Sequence, residues 1–330
     1  MPRILVVAPN WIGDALMAQP LLARLHEKVP GLQLDVLAPE WVAPVVRRMP
    51  EVDAVIATDF RHGELALRRR WRLGRELRPR GYDQAIVLPN TWKSALVPFF
   101  ADIPIRSGYV GESRYWLLNL TYRNEKKNRN EKNAGRAPMP LHYARLSEAP
   151  GKEPKQPLPS PSLRFAAHEV EAAKRKFAIA DRYAVLCPGA EYGPAKRWPY
   201  FKELADRLAI EVVLLGSAKD REASGGIAGK NLVGQTTLDE AIDLVAGAQL
   251  VVSNDSGLMH VAAALGRPQV ALFGSSSPLH TPPQSQPARV LWLRIECSPC
   301  FERVCPLGHF RCMREMTVET VYKEIQNLTP

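Results

Sequence analysis

Two kinds of segment alternate along most of the chain. Short runs of continuous apolar residues, typical of buried strands, are followed by stretches in which apolar residues recur at helical spacing. In the first half, strands are predicted at residues 4–8, 33–38, 54–58 and 84–88. Helices are predicted between them, at residues 18–29, 41–48 and 65–77. Apolar strands that alternate with helices predict a parallel sheet covered on both faces.

The same alternation begins again near residue 183. Strands are predicted at residues 183–187, 211–215, 231–233, 250–253, 269–273 and 289–293. Helices are predicted at residues 201–208 and after the Ser/Thr-x-x-Glu signal at residues 236–240. A proline-rich segment at residues 151–161 separates the two halves and reads as a linker. We therefore predict two doubly wound α/β domains, residues 1–160 and 161–330, a division that suits a chain of 330 residues.

One stretch joins a strand, a polar turn and a helix in an order that suits phosphate binding. Residues 250–268 read LVVSNDSGLMHVAAALGRP. The first amides of a helix are unpaired and its dipole attracts negative charge, so a phosphate is predicted beside Asp255, Ser256 and Gly257. The alternative is that Asp255 or Ser256 only caps the helix. Lys196 also follows a predicted strand, and ligands of doubly wound sheets bind beyond strand ends, which favours the phosphate site.

Charge points to an acidic partner. The chain has 44 Lys and Arg against 34 Asp and Glu, a net charge of +10. A phosphorylated ligand, an anionic membrane surface or a nucleic acid would suit this excess, although no nucleic-acid-binding motif is present. Met1 leads almost directly into the first strand and no apolar run approaches about 20 residues, so we expect a soluble, cytoplasmic protein without a signal peptide.

Arginine is concentrated between Arg61 and Arg80, where eight of the residues are arginine. This segment is either a solvated helix face or a site for phosphates or anionic lipid head groups. Lys93, Arg106 and Arg114 add further cationic donors to the first half. The polar segment at residues 124–137, NEKKNRNEKNAGRA, predicts a mobile loop.

Several familiar catalytic motifs are missing from the sequence. It contains no G-x-G-x-x-G, no Walker A lysine motif, no G-x-S-x-G elbow and no H-E-x-x-H. Asp14 follows Gly13 at a predicted helix start. It is therefore either a structural cap, whose hydrogen bonds would lower the pKa of its carboxyl, or a weak general base.

Four of the five cysteines lie close together in the sequence. Their order is Cys297-x2-Cys300-x4-Cys305-x6-Cys312. This density suggests ligands of a structural metal or cluster, and the alternative is a set of packed or free thiols. Disulfides are less expected in a reducing compartment.

Five segments in this order resemble the ADP-heptose:lipopolysaccharide heptosyltransferases over nearly the whole chain, and most of all the heptosyltransferase II branch. They are NWIGDALMAQP at residues 10–20, LPNTWKSAL at 88–96, MPLHY at 139–143, PGAEYGPAKRWP at 188–199 and NDSGLMH at 254–260. The resemblance implies a GT-B fold, in which two Rossmann-like domains face each other across a cleft and the last helix returns to the first domain.

The resemblance also implies a reaction and a place. L-glycero-D-manno-heptose would pass with inversion from ADP-heptose, the donor substrate, to the first heptose of the inner core on Kdo2-lipid A. No cofactor and no catalytic metal would be required. The enzyme would be cytoplasmic and peripheral at the inner membrane, with the phosphorylated lipid A–inner core as acceptor and without a nucleic-acid partner.

Individual roles follow from matched positions. Asp14 matches the proposed base and Lys196 the lysine that contacts the donor phosphates. The donor-binding positions are predicted to be Glu191, Tyr192, Asp220, Thr236, Asp255, Ser256, Gly257 and His260. The acceptor-binding positions are predicted to be Asn10, Lys93, Arg106 and Arg114, and the last three are chosen because cationic residues are in excess in the first half.

Two alternatives remain open from the sequence. The first is that the chain is a heptosyltransferase I-like enzyme or another GT-B sugar-nucleotide transferase. The second is that it is a non-enzymatic metal protein organised around Cys297–Cys312. The positions of Asp14 and Lys196, each after the first strand of its own half, favour the enzymes.

Overall fold

The computed structural model describes residues 1–60, 63–124, 137–285 and 287–328. These residues form two compact units, and the boundary between them lies between Pro159 and Ser160, inside the proline-rich segment. Each unit contains one six-stranded sheet, and every pair of neighbouring strands is parallel.

The first unit contains six strands and six α-helices. The strands are β1 (Arg3–Val7), β2 (Gln33–Pro39), β3 (Ala54–Thr58), β4 (Gln84–Val87), β5 (Ile105–Tyr109) and β6 (Leu120–Tyr122). The helices are α1 (Ile12–Met17), α2 (Gln19–Lys28), α3 (Ala43–Arg47), α4 (Leu67–Leu77), α5 (Leu96–Phe100) and α6 (Met139–Ala144). Three of the four apolar runs predicted as strands form β1, β2 and β4 inside the sheet, and the fourth forms β3 at one edge.

The second unit repeats this construction. Its strands are β7 (Tyr183–Cys187), β8 (Glu211–Leu214), β9 (Lys230–Asn231), β10 (Leu250–Asn254), β11 (Gln269–Phe273) and β12 (Ala288–Trp292). Its helices are α7 (Ala167–Phe177), α8 (Phe201–Arg207), α9 (Leu238–Gly247), α10 (Gly257–Ala264), α11 (Arg311–Arg314) and α12 (Val318–Leu328). The predicted capping box is present at the start of α9, where Thr237 and Glu240 exchange hydrogen bonds.

Strand order is the same in both sheets. The first has the order β3-β2-β1-β4-β5-β6 and the second the order β12-β11-β10-β7-β8-β9, which is the same sequence read from the opposite edge. This is the order of a Rossmann sheet, in which the chain reverses direction of travel between its first and fourth strands. The predicted fold class, two Rossmann-like doubly wound parallel sheets, is confirmed.

Two strands escaped prediction because their residues are not apolar. β5 contains Arg106, Ser107 and Gly108 instead of a run of branched aliphatic residues. Ser107 is fully buried there, and its hydroxyl donates to the carbonyl oxygen of Ala85 at 3.2 Å, which satisfies the polar group inside the sheet. β6 has three residues, too few for a periodic signal.

The last helix, α12, packs on the core of the second unit, and its expected return to the first domain stays a prediction. Val321 and Ile325 of α12 are buried in the second unit's core. Trp198 also ties this end of the chain to the second unit, because its indole Nε1 donates to the carbonyl oxygen of Met316 at 2.7 Å.

Two further expectations concern membranes and the charged segment. None of the helices in the described part of the chain has the length and apolar composition needed to cross a bilayer. The predicted loop at residues 124–137 lies almost entirely outside the described residues, as does Arg61.

Candidate functional site

In the second unit, the two predicted phosphate-binding loops follow adjacent strands. β7 pairs with β10, and the chain's direction of travel across the sheet reverses between them. Loops beyond the carboxyl ends of such a strand pair form the crevice in which doubly wound sheets bind ligands. Lys196 follows β7 and Asp255 follows β10, so the topology brings the two sequence-predicted residues together.

Asn254, the last residue of β10, holds the two loops in place. Its side chain is fully buried. Its Nδ2 donates to the carbonyl oxygens of Pro188 at 2.8 Å and Gly189 at 3.3 Å, and its Oδ1 accepts from the backbone N–H of Trp198 at 3.0 Å. One amide therefore fastens both ends of the loop that carries Lys196. The polar residue after an apolar strand was the sequence signal, although no separate role was predicted for Asn254.

Lys196 and Asp255 form a shielded ion pair. The Nζ of Lys196 lies 2.5 Å from Oδ2 of Asp255, and the exposed side-chain fractions are 14% and 5%. Burial is the largest influence on the carboxyl of Asp255 and opposes its charge, but Lys196, His260 and the hydroxyl of Ser276 together hold its pKa below the ordinary value. The lysine is thus held in one position with N–H donors that remain available to an anion.

The start of α10 does not use the predicted side-chain cap. Ser256 occupies the N-cap position, and its hydroxyl makes no capping hydrogen bond; instead it lies 3.0 Å from the Ser253 hydroxyl. The carboxylate of Asp255 is engaged with Lys196. The first amides of α10 are thus left without a side-chain partner among the described residues, as a phosphate site requires.

His260 lies one turn into α10 and is 5% exposed. Burial lowers the pKa of its imidazole from 6.5 to about 4, and the nearby Asp255 opposes that shift. His260 is therefore neutral at physiological pH and contributes a hydrogen-bonding ring, not a charge, beside the ion pair.

Tyr192 connects the lysine loop to the cysteine-rich segment. Its hydroxyl donates to the carbonyl oxygen of Phe301 at 2.6 Å, and its ring lies 4.8 Å from Nζ of Lys196 and 5.0 Å from the guanidinium of Arg303. The backbone N–H of Ala195 donates to the carbonyl oxygen of Arg303 at 3.1 Å. Gly193 has φ +152°, and a Cβ there would overlap that same oxygen. Arg303, whose guanidinium lies beside the same Tyr192 ring as Lys196, was not predicted from the sequence.

A second unpredicted group follows β11. The hydroxyl of Ser275 is buried and finds no hydrogen-bond partner among the described residues. The backbone carbonyl oxygen of Ser275 accepts a hydrogen bond from the backbone N–H of Phe301 at 2.7 Å. A run of three serines after an apolar strand was the available signal, because small hydroxyl residues there can face a ligand at the edge of the sheet.

Three predicted donor residues lie elsewhere in the second unit, and two of them have identified side-chain contacts. Glu191 is exposed and pairs with Lys219 at 2.5 Å. Asp220 is buried and accepts from the backbone N–H and hydroxyl of Ser217 at 3.0 and 2.8 Å. Thr236 is half-buried and directly precedes the cap of α9. The structure does not bring these three side chains into contact with Lys196 or Asp255.

The first unit has an equivalent reversal of strand order. β1 pairs with β4, and the loops after them carry Asp14 and Lys93. Asp14 lies in the first turn of α1, whose N-cap is Trp11, so Asp14 is not the cap itself. Burial, and then the charge of Asp14, raise the pKa of the neighbouring Tyr143 well above its ordinary value. A carboxylate therefore lies next to a buried phenol at this edge.

The predicted acceptor residues differ in accessibility. Arg114 is 2% exposed and donates to the carbonyl oxygens of Pro89, Thr91 and Tyr109, so internal contacts account for its guanidinium, and its acceptor contact stays a prediction. Arg106 also makes internal hydrogen bonds, because its guanidinium donates to the carbonyl oxygens of Ile103 and Leu117.

Asn10 and Lys93, like Arg106, are more accessible than the buried Arg114. Asn10 is exposed, and its carbonyl oxygen accepts from the indole of Trp41 at 2.9 Å. Lys93 is half-buried in the short 3-10 helix Trp92–Ala95.

The four cysteines that are close in sequence also lie close together in the structure. Cys297, Cys300, Cys305 and Cys312 line one cavity together with His309, and all four thiols are free. Within the described residues, however, no three or more His, Cys, Asp or Glu side chains are arranged to hold a metal ion. The alternative of packed or free thiols accounts for this geometry.

Comparison with known proteins agrees with this architecture. The family model "Glycosyltransferase family 9 (heptosyltransferase)" matches residues 70–311. Lipopolysaccharide heptosyltransferase 2 of Escherichia coli strain K12 is 42% identical, over 99% of this chain and 98% of the relative. The corresponding protein of Salmonella typhimurium is 41% identical over the same shares.

A solved structure extends the agreement to three dimensions. The structure of E. coli ADP-heptose lps heptosyltransferase II superposes with a TM-score of 0.86 at 40% identity. The match covers 99% of this chain and 98% of that one. Both units therefore have counterparts in a single related chain.

His260 predicts a pH dependence of stability. Its imidazole takes up a proton near pH 6.5 when unfolded but only near pH 4 when folded, so acidification favours unfolding. Between pH 7 and pH 5 we expect a loss of about 2 kcal/mol in the free energy of unfolding from this group. Urea unfolding of the wild type and of His260→Gln at both pH values measures it. Equal losses in the two proteins would contradict the assignment.

Proposed function

The chain belongs to glycosyltransferase family 9, the heptosyltransferases, and from this we propose that it transfers a heptose from ADP-heptose to the first heptose of a lipopolysaccharide inner core. The observation that carries the proposal is the Lys196–Asp255 pair beside the start of α10, where the second unit reverses its strand order. The near full-length similarity to proteins named heptosyltransferase 2 favours this acceptor over others.

We assign the donor to the second unit. The diphosphate of ADP-heptose would lie over Ser256 and Gly257, whose backbone faces the ligand edge, and would receive hydrogen bonds from Lys196. Arg303 adds a second cation beside Tyr192, within the same group of side chains. Charge developing on the departing ADP would thus be met by fixed donors, which is how an enzyme stabilises such a leaving group.

We assign the acceptor and the base to the first unit. In an inverting transfer, an acceptor hydroxyl attacks the anomeric carbon while the bond from that carbon to the diphosphate oxygen breaks. The hydroxyl proton passes to the carboxylate of Asp14, and the electron pair of the broken bond leaves with ADP. A carboxylate is sufficient as base when the proton is lost late, because the transition state is oxocarbenium-like.

A lipid-linked acceptor also sets the place of action. We propose that the enzyme works at the cytoplasmic face of the inner membrane as a peripheral protein. Asn10 and Lys93 are two predicted acceptor-binding residues with accessible side chains. They lie on loops at the same sheet edge as the Asp14 loop.

Lys196 and Asp255 offer a paired test of the donor site. Lys196→Gln removes a charge-assisted contact, and the affinity for ADP should fall about 10- to 100-fold. Asp255→Asn removes a negative charge near the diphosphate but keeps the lysine, so its ADP affinity should fall much less. Calorimetric titration compares the two variants, with thermal unfolding as the control for folding. Unchanged ADP affinity in a folded Lys196→Gln protein would remove the lysine from the donor site.

The reaction itself is tested with two acceptors. The protein is incubated with ADP-heptose and either a heptose-bearing or a heptose-free Kdo2-lipid A, and products are identified by mass spectrometry. Transfer should require the heptose-bearing acceptor. Asp14→Asn should lower kcat by roughly 10²–10⁴ with little change in ADP affinity, because the nearly isosteric amide cannot take the proton. Transfer only to the heptose-free acceptor would refute the proposed acceptor, and near-normal turnover in Asp14→Asn would refute the base.

A further inference from the structure

Some side chains of the arginine-rich segment are engaged in contacts within the chain. Arg70 is buried, donates to the carbonyl oxygen of Leu65 at 2.7 Å and lies 4.1 Å from the ring centroid of Phe60. Three further arginines pair with carboxylates: Arg69 with Asp59 and Glu64, Arg78 with Asp102, and Arg80 with Asp35. These four side chains are explained by internal contacts.

The remaining arginines of α4 form a separate surface. Arg68, Arg72 and Arg75 are exposed, and none forms a hydrogen bond or ion pair with the side chains that the structure describes. Together with Trp71 they occupy positions i, i+3, i+4 and i+7, which share one face of a helix. We refer to these four residues as the docking stripe. Its one acidic neighbour on α4 is the exposed Glu76.

Trp71 distinguishes the docking stripe from an ordinary solvated helix face. Its side chain is 54% exposed in the middle of three cations. An indole in water leaves a large apolar area unburied, whereas at a bilayer interface its ring meets apolar chains and its N–H meets polar head groups. Duplex nucleic acid would satisfy the guanidinium charges but offers no comparable layer for the ring.

A second exposed indole contacts α5, the helix that packs against α4. Trp116 is 66% exposed, and its ring makes an edge contact with that of Phe99, with 5.8 Å between the ring centroids. α5 packs tightly against α4, because a Cβ at Gly74 would overlap the side chain of Phe100. The close packing on α5 fixes which face of α4 turns outward, and that face carries the docking stripe.

We propose that the docking stripe binds an anionic phospholipid bilayer surface. Its guanidinium groups meet lipid phosphates, and the ring of Trp71 enters the interfacial layer. The inference extends the proposed function by assigning its membrane contact to one helix face, yet it concerns binding alone and needs neither donor nor acceptor.

The test uses the full chain and vesicles without substrate. Vesicles of phosphatidylglycerol with phosphatidylethanolamine are compared with phosphatidylcholine vesicles by sedimentation. The variant carries Arg68→Gln, Arg72→Gln and Arg75→Gln, and the matched control carries Lys202→Gln, Arg221→Gln and Lys323→Gln, exposed positions of the second unit. Since each arginine near such a surface contributes about a fivefold factor, we expect the variant to bind anionic vesicles about 100-fold more weakly and the control to change little.

The indole contribution is measured separately. Brominated lipids should quench the fluorescence of the wild-type protein, and Trp71→Phe should lose a measurable part of that quenching. Higher ionic strength should weaken binding. Equal losses in the variant and the control would show a diffuse charge effect and overturn the proposal. So would undiminished vesicle binding by the variant, or loss of binding to duplex DNA without loss of binding to vesicles.

Activity on a deacylated, water-soluble acceptor separates this inference from the proposed function. The triple arginine variant should retain that activity, since the stripe contacts lipid and not the reacting sugar. A loss of soluble-acceptor activity without a loss of vesicle binding would place these arginines in the acceptor site and overturn the membrane assignment. Failure of the wild type itself to transfer heptose would refute the proposed function and leave the vesicle result standing.

Discussion

The second unit's site depends on one buried ion pair. Asp255 lies at the carboxyl end of β10, where it is shielded from water and could not remain charged alone. Lys196 supplies the compensating charge, and Asn254 fixes the loop that brings the lysine there. The ion pair contributes little net free energy to folding, because the cost of desolvating both charges offsets much of their attraction. The main effect of the pair is to fix the position of the flexible Lys196 ammonium, at the edge of the sheet where a diphosphate would bind.

The repeated strand order explains why chemistry is placed twice in this chain. Each sheet reverses its direction of travel at the pair formed by its first and fourth strands, and the loops after those strands diverge to leave a crevice. The second unit places a lysine, a neutral histidine and a helix start there, which suits a phosphorylated donor. The first unit places Asp14 beside a buried phenol, which suits proton transfer from an acceptor. One topology would thus serve the two proposed roles through its loop residues.

The sequence predicts most of this fold because the central strands are continuous apolar runs bounded by turn residues. It also predicts the convergence of Lys196 and Asp255, since residues after parallel strands share an edge. It does not predict that Arg114 is buried, because two of its carbonyl partners, Pro89 and Thr91, come from a loop distant in the sequence. Nor does the spacing of Val321 and Ile325 reveal which core receives α12, since an apolar helix face fits either. Arg303 was missed because its contact with Tyr192 is purely tertiary.

Hydrogen–deuterium exchange with and without saturating ADP tests the central claim most directly, because it locates the nucleotide without altering the protein. We predict slower exchange in peptides that cover residues 193–198 and 255–260, where the lysine loop and the start of α10 lie. The loop at residues 8–17 of the first unit should exchange at an unchanged rate. Protection confined to the first unit, or none in either loop of the second, would contradict the assignment of the donor site.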